Sequence, residues 1–508
     1  MKTYIKRLGV LLAFAMLMQS CENVSVNENP NGANLEELLP EVVMPGAQVR
    51  PADLLMSNMN QLGNTMIGTW SGNAQQVQAP YFVEFSQQVT ADFYDDIWDG
   101  LFIRTSNLSS IIAFSGSDSN YDYYQGAAKI LKAFYFQYLV DTYGDIPFSE
   151  AHQRGDILFP VYDDQAEVYR GLVELIDDAI SQIDNTDTST VINMGSNDVM
   201  LNGNMDMWKK FGYTVKLRLL VRLMNLADQD GATQSYLQEE FNSLNNSDAS
   251  FLGLGEDVTI NPGYSDALDR ANPFAAQFGF LPGEFGNVGS EAFGNQATGP
   301  TTFLVELLNG TSNGVNDNRL GRLYKVRGGQ SAIQGNTQGG EGQPSQIGDG
   351  LLSSAEQDGY IMTAAESLFL QAEAAHRGYL SGGGSAKSLF QDGITSSFNR
   401  LGANIGSYLS DSDNINGIGW DGTSDKVEAI ITQKWIALGG TNGLETWIEF
   451  NRTGYPNNMP LPEIASQPTQ PKRMLYPTSE YVGNTANVSE FGQTNDSAFN
   501  TSIFWDVN

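Results

Sequence analysis

The sequence predicts a mainly α-helical protein: a tetratricopeptide-like scaffold of paired helices carrying a large irregular, loop-rich part. Three observations support this. Apolar residues recur at helical spacing in long blocks along the chain. The segments Ser354 to Gly378 and Ala386 to Leu401 are separated by "YLSGGGS", and Ala364, Ala365, Ala372 and Ala375 would let such a pair approach closely. From Ser250 to Pro300, glycine, proline and aromatic residues interleave with little periodicity, as in loops that carry function.

The elements follow in chain order. "MKTYIKRLGVLLAFAMLMQSC" has a basic start and an apolar run from Leu8 to Met18, too short for a membrane span of about 20 apolar residues. Residues 1–20 therefore read as a signal peptide. Cys21 lies where a bacterial lipoprotein is cleaved and acylated, although Met18-Gln19-Ser20-Cys21 departs from the usual leucine-small-small-cysteine box at Gln19. It is the single cysteine of the chain, so no disulfide forms within it. Residues 21–40 read as a flexible acidic tether, which would hang the protein from a membrane by its lipid. Residues 41–508 read as one domain, with a candidate ligand region at about 250–350.

Helices are expected at Asp92 to Phe114, Tyr123 to Asp141, Asp163 to Ile183 and Asp206 to Ala227. The Gly- and Gln-rich stretch Arg327 to Leu351 reads as loop. Helices return at Ser354 to Gly378, Ala386 to Leu401, Asp425 to Leu438 and Leu444 to Asn451, and the chain after Gly454 reads as loop.

Composition excludes several functions. Hydrophobic residues make up 41% of 508 residues, enough for a sizeable core. The net charge of −32, from 27 basic and 59 acidic residues, excludes a phosphate-binding groove for nucleic acid. It suits a protein that binds neutral ligands. His152 and His376 are the two histidines, and neither a zinc motif nor a nucleophile elbow is present, so no cofactor or metal is expected. "DSDNING", Asp411 to Gly417, loosely resembles a calcium loop, but its twelfth position holds Gly422 in place of glutamate.

Carboxylates are abundant, so a secreted glycoside hydrolase is the alternative to weigh. That chemistry needs two carboxyls about 5–9 Å apart across a cleft. Glu445 and Glu449 in "ETWIEFNRTGYP" are one helical turn apart and are expected on an exposed stripe, with Glu449 pairing to Arg452. Trp447 and Phe450 would dock that helix. Aromatics fit a binding function better, because their faces stack on sugar rings while neighbouring polar side chains bond the hydroxyls. Trp70, Asn73 and Tyr81 lie in a polar stretch without helical spacing, where the tryptophan reads as ligand-facing or as a partly buried anchor. The central loops add Tyr264, Arg270, Phe280 and Phe285. Trp98, Trp208, Trp435 and Trp447 lie in helical segments and read as core.

Several stretches together resemble the SusD/RagB family of nutrient-binding outer-membrane lipoproteins, in its SusD-like 2 branch. They are the lipoprotein start with "NENPN", "LVDTYGDIPFSEA", "AESLFLQAEAAHRGYLSG", "IITQKWIALGGTNGLETWIEFNRTGYP" and "KRMLYPTSEYVGNTAN". Their order and spacing agree over nearly the whole mature chain. The resemblance implies four tetratricopeptide-like helix pairs and a loop-rich part that carries the ligand. It implies no enzymatic activity. The ligand would be a glycan or oligosaccharide, sometimes a peptide. The partner would be a TonB-dependent, SusC-like outer-membrane transporter. Ligand residues are not carried by the family's motifs, so the aromatic candidates rest on the chemistry of the residues alone.

Overall fold

The computed structural model describes residues 38–75, 81–116, 119–153, 156–488 and 494–508. The signal segment, Cys21 and the expected tether up to residue 37 lie outside them. Leu38 already packs on the core.

Eleven helices form the frame: α1 Pro40–Leu54, α2 Asn60–Met66, α3 Asp95–Ile112, α4 Asp122–Tyr143, α5 Gln165–Asn185, α6 Met205–Arg222, α7 Gly231–Asn246, α8 Ala364–His376, α9 Ala386–Leu401, α10 Lys426–Leu438 and α11 Gly443–Thr453. Their starts are set by side chains that accept from otherwise unpaired N–H groups. Asp164 caps α5, Asn204 caps α6, Asp230 caps α7, Thr363 caps α8, Ser385 caps α9 and Asp425 caps α10. α9 and α11 end on left-handed glycines, Gly402 and Gly454.

Neighbours along the chain pack together: α4 on α3 and α5, α8 on α9, and α10 on α11. α8 also packs on α6 and α10, which joins the pairs into one scaffold. α2 crosses α11 so closely that a Cβ on Gly63 would lie 2.0 Å from the Gly443 carbonyl carbon. The largest hydrophobic cluster runs from Val43 to Trp505.

Three expectations need correction. The helix expected from Ser354 begins only at Ala364. Gly359–Met362 instead forms a strand antiparallel to Val258–Ile260, where Gly359 packs against Met56 with no room for a side chain. The tail after Gly454 is not all loop. Thr478–Gly483, Thr485–Val488 and Asn495–Asn500 are short helices, and Trp505 beyond them is buried with its indole N–H donating to Asp141 at 2.8 Å. α1 and α2 were not signalled in the sequence, since α1 holds Pro45 and Pro51 and a π-helical turn, Leu55–Met59, joins the two.

The third correction concerns Glu445 and Glu449. Neither is exposed: their relative accessibilities are 0% and 2%. α11 turns them inward, toward Arg222 at 2.8 and 2.5 Å and Lys434 at 2.8 and 3.1 Å. Arg452 joins Glu449 at 2.6 Å and Glu373 at 2.7 Å. Burial would raise the Glu449 carboxyl, but Arg452, Lys434 and Arg222 hold it well below the usual carboxylate range. The four tryptophans expected in the core, Trp98, Trp208, Trp435 and Trp447, are all buried.

Among the described residues no helix is long and apolar enough to cross a membrane, and no cluster of three or more histidine, cysteine or acidic side chains could hold a metal ion. In the calcium-like stretch, Asp413 instead meets the ammonium of Lys387 at 2.7 Å, as does Asp421 at 2.9 Å.

Candidate functional site

Two of the sequence candidates, Tyr264 and Arg270, line one open pocket of about 820 Å³. The loop that carries them is shaped by its own polar groups. The Asn261 side chain accepts from the N–H of Gly263 and of Tyr264, both at 3.0 Å, and donates to Asp358 at 2.8 Å. Ser265 N–H donates to the Arg270 carbonyl at 2.9 Å, which closes the turn, and Asp269 adopts a positive φ of 58° within it. Asn272 then anchors the loop's far end. It caps the short helix Pro273–Phe278 and donates to the Gln357 carbonyl at 3.1 Å.

The opposite wall comes from the scaffold. α1 supplies Asp53, the π-turn Ser57 and α3 Arg104. Gln277 completes the rim from the short helix. Burial pushes the Asp53 carboxyl up to about 6, against the pull of Arg104 and Arg50. The Tyr264 hydroxyl is buried without a hydrogen-bond partner. Burial and the charges of Asp53 and Asp358 push its phenol well above the usual range, so it remains a neutral O–H donor.

The pocket thus combines one aromatic ring with guanidinium and amide donors (Arg104, Arg270, Gln277) and carboxylate acceptors (Asp53, Asp269). Sugar hydroxyls both donate and accept, so a mixed set of this kind with one ring matches them, whereas a single fixed charge would not.

The other candidates do not gather here. Trp70 must be corrected: it is fully buried, 4.9 Å edge-on from Phe278 and 6.5 Å from Phe274, and its strand Trp70–Ser71 pairs with Gly299–Pro300. Aperiodic sequence around it hid a core strand. Asn73 is half-buried and accepts from Gln75 N–H at 3.0 Å. Tyr81 begins the short helix Tyr81–Ser86. Phe280 and Phe285 are half-buried and pack edge-on at 5.0 Å, in a loop tied by Gly283 N–H to Asp266 at 2.8 Å. Asp53, Arg104 and Gln277 were missed. Asp53 and Arg104 lie on helices far along the chain from Tyr264, and only the fold brings them to it, while Gln277 lies on the short helix that follows the loop.

The match to known proteins follows this architecture. The family model for SusD-like proteins described as "Starch-binding associating with outer membrane" matches residues 34–477. The chain belongs to the SusD-like family. A chitin-binding SusD homologue from Flavobacterium johnsoniae superposes with a TM-score of 0.73 at 22% identity, covering 93% of this chain and 99% of that one. A SusD homologue from Bacteroides uniformis gives 0.71 at 24% identity, covering 92% and 99%. A SusD/RagB family protein from Bacteroides thetaiotaomicron gives 0.73 at 18% identity, covering 93% and 99%. At these identities the likeness establishes the fold alone. A comparison with curated proteins returns no match.

Proposed function

We propose that this SusD-like protein binds a glycan or oligosaccharide at the cell surface in the Tyr264–Arg270 pocket and passes it to a TonB-dependent outer-membrane transporter. The observation that carries the reading is the pocket itself, which sets a tyrosine among donors and acceptors of both signs on a scaffold of this family. Starch in the family's description and chitin in a structural neighbour's name make malto- and chito-oligosaccharides the first ligands to try. Acylation of Cys21 would supply the membrane anchor, and no catalytic step is required.

One observation favours the hydrolase as a second reading: Asp53, raised to about 6, shares the pocket with Asp269. A single experiment separates the two. Calorimetry of the wild type with both oligosaccharide series is expected to show saturable binding, and product analysis of the same mixtures no cleavage. Tyr264→Ala and Arg270→Ala are each expected to weaken binding at least about tenfold, the equivalent of about 1.4 kcal/mol. Unchanged affinity in both variants would move the ligand elsewhere. Cleavage that disappears in Asp53→Asn would establish the hydrolase.

A further inference from the structure

A second cavity, of about 630 Å³, opens between the C-terminal end of α3 and the segment after α4. Ser109, Ser110, Phe114, Lys132, His152 and Asp156 are among the residues that line it. Lys132, on α4, is half-buried, with its ammonium 5.2 Å from the Phe136 ring centroid and 5.7 Å from that of Phe148.

Lys132 is unlike the other described lysines. Eight of them form ion pairs with carboxylates. Lys426 donates instead to the carbonyls of Trp420 and Thr423, both at 2.6 Å. Lys132 alone has neither kind of partner among the described residues. Ring faces attract an ammonium but accept no proton and carry no net charge. Asp156 is exposed and makes no ion pair with Lys132. In a chain with 59 acidic and 27 basic residues, a desolvated cation without an anion is a conspicuous omission.

The remaining wall is fixed. The His152 ring lies 2.9 Å from the Phe102 carbonyl through Nε2 and 2.7 Å from the Ser109 hydroxyl through Nδ1. Nε2–H therefore donates to the carbonyl, and in the neutral imidazole Nδ1 accepts from Ser109. Among the described residues the cavity presents hydroxyl oxygens, an aromatic surface at Phe114, the Lys132 ammonium with no ion-pair partner and, at its exposed edge, the Asp156 carboxylate.

We propose that this cavity binds a small organic carboxylate, its anionic group on the Lys132 ammonium and its carbon face against Phe114. One cation balances one negative charge. The net charge of −32 disfavours a multiply charged anion such as phosphate. The site shares no residue with the Tyr264 pocket and stands on separate observations.

Burial brings the Lys132 ammonium down to about 8, and a bound carboxylate would restore it toward the ordinary lysine value. The test uses protein whose lysines carry ¹³C-methyl groups, with the Lys132 signal assigned by its absence in Lys132→Arg. Sodium glucuronate, N-acetylglycine and neutral methyl glucoside are titrated in turn. The expected result is a saturable shift of the Lys132 signal with at least one carboxylate, a pKa rise of about one unit on saturation and no shift with the glucoside. Lys132→Met should lose that binding at least about tenfold. A response to glucuronate alone identifies an acidic sugar, and one to N-acetylglycine alone an aliphatic or peptide carboxylate. No shift with either carboxylate, an equal shift with the glucoside, or wild-type affinity in Lys132→Met overturns the proposal. If Lys132→Met fails to fold, the titration of the wild-type signal still decides.

Discussion

The ion-pair cluster behind α11 and the pocket at Tyr264 both gather acids and arginines, yet they treat charge in opposite ways. In the cluster, Asp141, Glu366, Glu373, Glu445 and Glu449 meet Arg218, Arg222, Lys434 and Arg452. All nine side chains are at least 98% buried. Cations reach Glu449 from three directions and keep it ionised. In the pocket, Asp53 feels Arg104 and Arg50 only at a distance and is pushed upward by burial to about 6. Burial of an acid therefore does not mark function here. What separates the two regions is whether the acid's hydrogen-bonding capacity is already consumed by its neighbours. At Glu445 and Glu449 both oxygens are taken by cations, although burial still raises Asp141 and Glu366 and leaves one Glu366 oxygen unpartnered. In the pocket the Asp53 carboxyl remains for a ligand.

The most direct way to break this comparison is Arg452→Met. It removes one cation from both Glu373, which keeps Arg377, and Glu449, which keeps Arg222 and Lys434, while keeping most of the buried volume. Two carboxylates would then be left short of positive charge in a sealed interior. The expected cost is about 3–5 kcal/mol of stability, read by chemical denaturation. Oligosaccharide affinity of the folded fraction should stay at the wild-type value. A cost below about 1 kcal/mol would mean that the cluster is not what holds α6, α8, α10 and α11 together.

Glu84 sharpens the comparison, because it is a buried scaffold acid that no cation reaches. It lies on the short helix Tyr81–Ser86, accepts from the Tyr94 hydroxyl and accepts from Gln61 at 3.2 Å. Burial dominates, and its carboxyl is pushed up from 4.5 to about 8. The sign follows from linkage. Between those two values the folded state binds more protons than the unfolded state, so stability falls as pH rises through that window and levels off above it. Glu84→Gln abolishes this titration. Its stability relative to wild type should improve between pH 5 and pH 8 by up to about 4 kcal/mol. The measurement is the denaturation midpoint of both proteins across pH. A gap that does not change with pH would show that Glu84 is not protonated in the folded state.

Much of the frame was legible in the sequence because its helices announce themselves locally. α5 has a capping aspartate before a clean apolar stripe, and α9 ends on a glycine. The missed start, α1 with its π-turn, carries prolines that normally argue against a helix. The errors at Trp70 and Glu445 share one cause. Sequence pattern shows which side chains lie on the same face of a helix or strand, but not what covers that face. Trp70 lies in a polar stretch, yet Phe274 and Phe278 arrive from two hundred residues away to enclose it. Glu445 lies on a charged stripe, yet that stripe turns inward because Arg222 and Lys434 wait there. Of the candidate site, the sequence supplied Tyr264 and Arg270 because function-bearing loops are irregular and aromatic. It could not supply Asp53 or Arg104, which have no local signature and enter the pocket only through the packing of α1 and α3.

The smallest expected effect tests whether α11 is scaffold alone. Trp447 is fully buried and its indole N–H donates to the Pro471 carbonyl at 3.1 Å, which fastens the tail to the helix. Trp447→Phe keeps an aromatic ring but deletes that donor and part of the volume. The carbonyl of Pro471 would lose its partner, at an expected cost of about 1–3 kcal/mol. The larger truncation, Trp447→Ala, should lower the melting temperature further, since it also opens a cavity. Neither variant should change oligosaccharide affinity while folded, because Trp447 does not line the Tyr264 pocket. A folded Trp447→Phe protein with weakened binding would place α11 in communication with the ligand. The division between compensated scaffold charge and open pocket charge would then fail at the helix that displays it most clearly.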